Sequence, residues 1–186
     1  MRSILPLLAV ALTAAVPALA QENVGVPAFR SVELRGGGEV VVRPGPVQRV
    51  AIMEGSSAVT RFYVERGGQL RIDVCDNNCP RHYRLRVEIQ SPAVPDLAIS
   101  GGGAIHTAGG FAPQAQLSVA VRGGGLIDAR SVAAATVDAA VQGGGSIAVN
   151  ARSSLEAAVQ GGGEVRYLGN PEVTSAISGG GAVHRD

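Results

Sequence analysis

The sequence predicts an all-β fold in which short repeating rungs stack as a parallel β-solenoid behind an N-terminal β-hairpin region. A glycine triplet recurs six times, the apolar residues around it alternate with period two, and the last five copies are almost evenly spaced. A short repeat of this kind is typical of solenoids, because one repeat alone cannot bury its apolar face. The triplets hold 18 of the 26 glycines, which are Gly36, Gly37, Gly38, Gly101, Gly102, Gly103, Gly123, Gly124, Gly125, Gly143, Gly144, Gly145, Gly161, Gly162, Gly163, Gly179, Gly180 and Gly181.

Aligned on the triplet, the last five copies share their apolar positions. Their triplets begin at positions 101, 123, 143, 161 and 179 of the chain. Two positions before the triplet stand Ile99, Val121, Val141, Val159 and Ile177, and two positions after it stand Ile105, Ile127, Ile147, Val165 and Val183. Alanine always stands three positions before it. Strands stacked about 4.8 Å apart would join these residues into one core, and glycine corners without a Cβ would let neighbouring backbones approach.

The segment from residue 29 to 95 also alternates with the strand period. Leu70, Ile72 and Val74 alternate with polar residues before a cysteine-containing turn, and the same pattern follows it. The apolar residues after the turn are Leu85, Val87 and Ile89. We therefore predict that the two segments pair as one β-hairpin. The glycine-triplet rungs then occupy residues 96–186.

Cys75 and Cys79 enclose three residues within this turn. In an exported protein, two cysteines at close spacing most simply form a disulfide, which here would pin a local turn. The alternative is a metal site formed by Cys75, Cys79 and His82, but no fourth ligand stands nearby in the sequence. We predict the disulfide, with no metal and no cofactor.

Residues 1–20 have the features of a secretory signal peptide. Arg2 is followed by an apolar run, and Ala18-Leu19-Ala20 forms a small-residue cleavage site. Residues 21–186 would then fold as a single domain outside the cytoplasm, with no transmembrane segment. This part contains 15 Arg, no Lys and 15 acidic residues, and the chain has no Trp. Balanced charge and few aromatic rings argue against a nucleic-acid partner.

The motifs of several enzyme classes are missing from the sequence. A phosphate-binding loop needs a Lys, which the chain lacks, and there is no Gly-x-Ser-x-Gly hydrolase motif. Three positions after the last five triplets stand His106, Asp128, Ala148, Arg166 and His184. The two histidines would lie about 19 Å apart, too far for one metal, whereas His106 and Asp128 would form a polar surface pair. Asp138 and Glu156 share a position five before the triplet, so two carboxylates would lie on neighbouring rungs.

The chain resembles a known family of exported bacterial proteins, the head GIN domain of autotransporter adhesins. The resemblance rests on the words Ile-Ser-Gly-Gly-Gly-Ala-Ile/Val at 99–105 and 177–183 and on Tyr167-Leu168-Gly169-Asn170-Pro171, which precedes the last copy. It covers nearly all of residues 21–186. Family members often carry Ser in the middle of the triplet, where this chain has Gly. The resemblance implies a right-handed β-helix-like fold and an adhesin or envelope role without a catalytic motif.

Together these observations predict a non-enzymatic protein of the bacterial periplasm or cell surface. It would bind a surface ligand, a glycan or a protein, in the manner of an adhesin. Two alternatives remain open at this point. One is a structural solenoid that self-associates, and the other is a glycan-acting enzyme that uses Asp138 and Glu156.

Overall fold

The structure is a computed structural model, which describes residues 21–75 and 79–186. The predicted signal peptide, residues 1–20, lies outside the described residues. Every regular element in the described part of the chain is a strand, and all 15 strands belong to one sheet. The all-β prediction is therefore confirmed. No helix in these residues is long and apolar enough to cross a membrane.

The strands follow the alternation seen in the sequence. The first eight are β1 (Glu22–Val24), β2 (Ser31–Gly36), β3 (Glu39–Pro44), β4 (Arg49–Glu54), β5 (Arg61–Val64), β6 (Gln69–Asp73), β7 (Arg86–Ser91) and β8 (Asp96–Gly101). The others are β9 (Ala104–Thr107), β10 (Gln114–Gly123), β11 (Leu126–Gly143), β12 (Ser146–Gly161), β13 (Glu164–Leu168), β14 (Glu172–Ser178) and β15 (Ala182–Arg185). The alanine-rich stretch 131–141 lies within β11.

The sheet folds back on itself at the glycine triplets, so that it has two walls. Wall A contains β2, β5, β6, β8, β10, β14 and the C-terminal parts of β11 and β12. Wall B contains β1, β3, β4, β7, β9, β13, β15 and the N-terminal parts of β11 and β12. We call one wall A strand, its following corner and one wall B strand a level. Along each strand alternate side chains point inward, and those of both walls form one aliphatic core.

The six triplet levels stack in register. Gly101 lies beside Gly36 on one side and Gly123 on the other, and Gly143 and Gly161 continue the series. The strands that precede and follow these corners pair in parallel. The first triplet therefore lies in the same stack as the other five, although a long segment of the chain separates it from the second triplet.

The predicted hairpin around the cysteine turn is wrong. β6 pairs with β2 and β5, whereas β7 pairs with β3 and β4, and the two strands do not pair with each other. Instead, β6 is the wall A strand and β7 the wall B strand of one further level, which lies beside the level of β2 and β3. The two ends of the segment between them stack under the first triplet, because Val74 N donates to Arg35 O at 3.0 Å and Glu39 N donates to Leu85 O at 2.9 Å.

The solenoid prediction required a wholly parallel sheet, but the sheet is mixed. Three pairs are antiparallel: β1 with β4, β4 with β7, and β5 with β6. All three lie at the N-terminal end of the stack, where β5 and β6 form the one hairpin of the described residues around the turn 65–68. The levels also depart from chain order, because the β2–β3 level lies between the β6–β7 level and the β8–β9 level. Residues 29–95 are thus continuous with the glycine-triplet levels.

Candidate functional site

The first glycine of each triplet makes the turn from wall A to wall B. At Gly123 the backbone has φ +115°, a conformation that side chains disfavour, and a Cβ would lie 2.6 Å from Gly101 O. The corners are therefore packed backbone against backbone. The next amide is also used within the stack, since Gly124 N donates to Gly101 O at 3.0 Å. Because neighbouring levels take up this amide, the corner does not offer it to an anion.

The other two glycines of a triplet have different surroundings. A Cβ on Gly125 would lie 2.6 Å from Ile99 Cγ2 and 2.9 Å from Gly103 O, so the third position is closed to any side chain. A Cβ on Gly124 would meet nothing within 4 Å. The middle position thus has room for a side chain. The close approach of neighbouring backbones, for which the sequence analysis invoked all three glycines, therefore requires glycine only at the first and third positions.

A shallow groove of about 580 Å³ runs along the outer surface of wall A, parallel to the stack. We call it the alanine groove. Its floor is made by the outward alanines that stand three positions before the triplet, namely Ala98, Ala120, Ala140 and Ala158. The invariance of this alanine was visible in the sequence. Because its neighbours Val119 and Val121 are buried, the strand alternation places Ala120 on the outer surface.

One rim of the alanine groove is acidic. It consists of Asp96, Ser118, Asp138 and Glu156. Asp138 lies in register with Glu156 on the neighbouring strand, so the predicted juxtaposition of these carboxylates is confirmed. Gln116 Nε2 donates to Asp138 Oδ2 at 3.0 Å, and Ser118 N donates to Asp96 Oδ1 at 3.0 Å.

On the other side of the alanine floor, an adjoining depression of about 220 Å³ shares Ala98, Ala120 and Ala140 with the groove, and the residues immediately before the triplets form this opposite rim. Ser100, Arg122 and Gln142 contribute to it, and Arg122 Nε donates to Gln142 Oε1 at 3.1 Å. Towards the N-terminal end the floor rises, because Glu33 takes the place of alanine on β2. Arg71 of β6 contacts this carboxylate, with 3.4 Å between Nε and Oε2. The groove therefore has an apolar floor, one acidic rim and one rim of amide and guanidinium groups.

Wall B carries a network of charged side chains on the same levels. Arg130 binds Asp128 through two nitrogens, at 2.6 and 3.0 Å, and its third nitrogen donates to Asp186 at 3.1 Å. Glu164 accepts contacts from Arg166 Nε at 3.2 Å and His184 Nε2 at 3.1 Å. This network was not predicted from the sequence. Its local signal was the spacing of two between Asp128 and Arg130 and between Glu164 and Arg166, which places each pair on one face of a strand.

The predicted polar column on wall B is in register. His106 lies beside Asp128, and three further residues follow on successive levels, namely Ala148, Arg166 and His184. His106 and His184 are therefore four levels apart, as the sequence indicated, and cannot share a metal ion. No group of three or more His, Cys, Asp or Glu residues suited to a metal occurs in the described ranges 21–75 and 79–186.

Arg130 changes the titration of Asp128. The hydrogen bonds from the guanidinium hold the pKa of the Asp128 carboxyl below its usual value, against the opposing effect of its partial burial. A carboxyl with a depressed folded-state pKa stabilises the fold above its unfolded-state pKa, near 3.9. That stabilisation is lost as the pH falls through the folded-state value.

We expect Asp128→Asn to lower the free energy of unfolding at pH 7 by about 0.5–1 kcal/mol, since the ion pair is partly exposed. The deficit should shrink below about pH 4. There the Asp128 carboxyl becomes protonated first in the unfolded wild-type chain and then, at lower pH, in the folded protein, so its charge no longer stabilises the fold. Urea unfolding of both proteins at pH 7, 4 and 2.5 measures the difference. A deficit of the same size at all three pH values would contradict this role of the charge.

The disulfide predicted between Cys75 and Cys79 is present. It lies in the corner segment between β6 and β7, where other levels have a glycine triplet. Because both sulfurs are bonded to each other, neither is available as a thiolate for the alternative metal site with His82. Among the levels in residues 21–75 and 79–186, the disulfide lies at the corner of the one that turns without a glycine triplet.

Comparison with known proteins agrees with the resemblance seen in the sequence. Residues 108–171 match the family model described as "Putative auto-transporter adhesin, head GIN domain". The inferred resemblance is confirmed. The match covers levels of the glycine stack that include most of the alanine groove. None of the curated proteins matches the chain significantly.

Several solved structures resemble the chain. A "putative adhesin" from Bacteroides fragilis is 20% identical over 92% of this chain and 98% of its own, with a TM-score of 0.55. A "putative lipid binding protein" and a "putative adhesin", both from Parabacteroides distasonis, are 17% and 16% identical. Each match covers 90% of this chain and 96% of the other, and the TM-scores are 0.37 and 0.45. At such low identity, the Bacteroides likeness shows that the fold is shared and no more.

Proposed function

We propose that this protein is a non-enzymatic, adhesin-like binding module and that the alanine groove is its contact surface. The observation that carries the proposal is the floor of the groove, where four in-register strands each present a methyl group between two polar rims. The family match and the name of the Bacteroides neighbour support the same class of function.

The shape of the groove favours an extended ligand. Its floor spans levels spaced about 4.8 Å apart, so four alanines cover about 14 Å along the stack. An open trough of this kind contacts a chain along its length and does not enclose a small molecule, which pockets for drug-sized ligands do. The floor is also rigid, since Ala120 and Ala140 lie on strands whose inward neighbours form the core. An extended glycan or peptide strand fits such a surface.

The arrangement of carboxylates favours binding over glycan hydrolysis. A glycosidase places its two carboxyl groups on either side of the bond that it cleaves. Asp138 and Glu156 instead lie side by side on one rim, and the opposite rim carries Arg122 and Gln142. This geometry allows both carboxylates to contact one ligand from the same side. It supports a role in binding charged or hydroxyl groups of the ligand.

We place the protein outside the cytoplasm, in the periplasm or on the cell surface. The signal-peptide features of residues 1–20 support export. The Cys75–Cys79 disulfide also suits an oxidising compartment. Adhesins act on the outside of cells, so the compartment and the proposed binding role are consistent.

Filling the groove tests the proposal. We expect Ala140→Tyr to weaken binding to any glycan or peptide captured from a panel by at least tenfold, because the ring would occupy the floor. The fold should tolerate the change, since the side chain points outward and tyrosine suits strands. Ala104→Tyr, the same substitution on the outer surface of wall B, is the matched control and should bind as the wild type does.

Two results would contradict the proposal. One is equal affinity of Ala140→Tyr and the wild-type protein for every captured ligand. The other is turnover of a glycan that disappears in both Asp138→Asn and Glu156→Gln, which would favour the enzyme alternative. Calorimetry measures the affinities, and mass spectrometry of the incubated ligand detects turnover.

A further inference from the structure

The C-terminal end of the stack presents an uncovered strand edge. Within the described residues β14 pairs only with β12, and β15 pairs only with β13. Every residue of β14 is exposed. Val173 and Ile177 continue the inward positions of Leu155 and Val159 on the level below, which are fully buried. Their exposed fractions are nevertheless 37% and 47%, so no strand of the described residues covers the apolar core at this end.

The N-terminal end of the stack is protected. Its outermost strands, β1 and β5, have only three and four residues, and short edge strands offer little template for pairing. Beneath them Val50 and Ile52 of β4 are 1% and 2% exposed. The loop after β4 is held down by Tyr83, whose hydroxyl accepts from Ser56 N at 3.0 Å. The two ends therefore differ in their capacity to bind another strand.

We propose that the C-terminal end binds a second copy of this chain through antiparallel pairing of β14 with its two-fold equivalent. An isologous interface requires a strand that complements itself. When the axis passes through Ser175, Val173 lies opposite the partner's Ile177, and both apolar residues of each copy are covered. Glu172 then lies opposite the partner's Ser178, so no like charges meet. A shift of two residues in either direction would place Ser175 opposite Val173 or Ile177, and the other of these two side chains would face Pro171 or Gly179.

This pairing limits the assembly to two chains. The interface uses both C-terminal ends, and the remaining N-terminal ends are covered by short strands and a packed loop. Homotypic pairing therefore forms a closed dimer and does not propagate into a fibre. The inference goes beyond the proposed binding function, because the alanine groove lies on the outer surface of wall A and takes no part in the contact.

Light scattering during size-exclusion chromatography tests the inference. We expect the mass of the purified protein to rise from one chain to two with concentration and to stop there. Ile177→Lys should raise the dissociation constant at least tenfold, because a charge would face the partner's Val173. Val47→Lys, at an apolar residue that is 55% exposed on another surface, should leave dimerisation unchanged. Circular dichroism checks that both variants fold.

A cysteine at the proposed axis tests the register independently of these variants. We expect Ser175→Cys to form a covalent dimer under mild oxidation, since the two sulfurs would meet across the axis, and Ser178→Cys to remain uncross-linked. Four results would overturn the inference: a single chain at every concentration, masses above two chains, equal loss of dimer in Ile177→Lys and Val47→Lys, or equal cross-linking of the two cysteine variants.

Discussion

Gly123→Ala is expected to lower the free energy of unfolding by about 2–4 kcal/mol. The residue has φ +115°, and the new methyl group would lie 2.6 Å from Gly101 O, an atom of the neighbouring backbone that cannot move without distorting its own level. The triplet provides its own control. Gly124→Ala should be neutral or stabilise the fold by up to about 0.5–1 kcal/mol, because the site is open and the unfolded chain loses freedom.

Gly125→Ala separates the effect of packing from that of backbone conformation. Its φ is not in the left-handed region, but its methyl group would contact Ile99 and Gly103 O. We expect a loss of about 2–3 kcal/mol from the clash alone. Chemical denaturation of the three variants measures the order of stability, which should be Gly124→Ala, then Gly125→Ala, then Gly123→Ala. Equal effects at the three positions would mean that the corners are not stacked as described.

Leu34→Ala is expected to destabilise the protein by about 2–5 kcal/mol. Leu34 on β2 is 0% exposed, and its neighbours in register are Ile72 on one side and Ile99 on the other. The substitution would leave a cavity in the middle of the stack, between the N-terminal levels and the glycine-triplet levels. We therefore expect one cooperative transition at a lower denaturant concentration. Intrinsic fluorescence of the tyrosines and circular dichroism should follow the same curve.

A separate result would reveal an N-terminal unit that folds apart from the rest. In that case Leu34→Ala would split the unfolding curve into two transitions. Val47→Ala removes an apolar side chain that is 55% exposed and should cost less than about 0.5 kcal/mol. The comparison distinguishes a central buried position from a general loss of apolar surface.

The local pattern of the sequence was sufficient to predict the strands and the glycine register. Alternation with period two follows from the geometry of a strand, and the aliphatic residues around each triplet lie where that geometry places them. The same register brought Asp138 beside Glu156 and His106 beside Asp128. These relations depend only on the number of residues between identical corners.

The pairing of the N-terminal strands could not be predicted in this way. Alternation at Leu70 and Val87 identifies two strands but says nothing about which strands lie beside them. The chain returns to place β6 and β7 beneath β2 and β3, and β8 then passes to the other side of that level. Such order is decided by contacts between distant segments. The ion pair of Arg130 with Asp186 was missed for the same reason, since the two residues are far apart in the sequence.

The β2–β3 level lies inside the stack, between the β6–β7 level and the β8–β9 level. Nuclear Overhauser effects between backbone protons of an isotope-labelled sample test this order most directly. We predict that Glu33 on β2 shows inter-strand contacts with both Arg71 on β6 and Ala98 on β8. Inter-strand contacts that pair β6 with β7, together with the absence of contacts between Glu33 and Ala98, would contradict this order of levels.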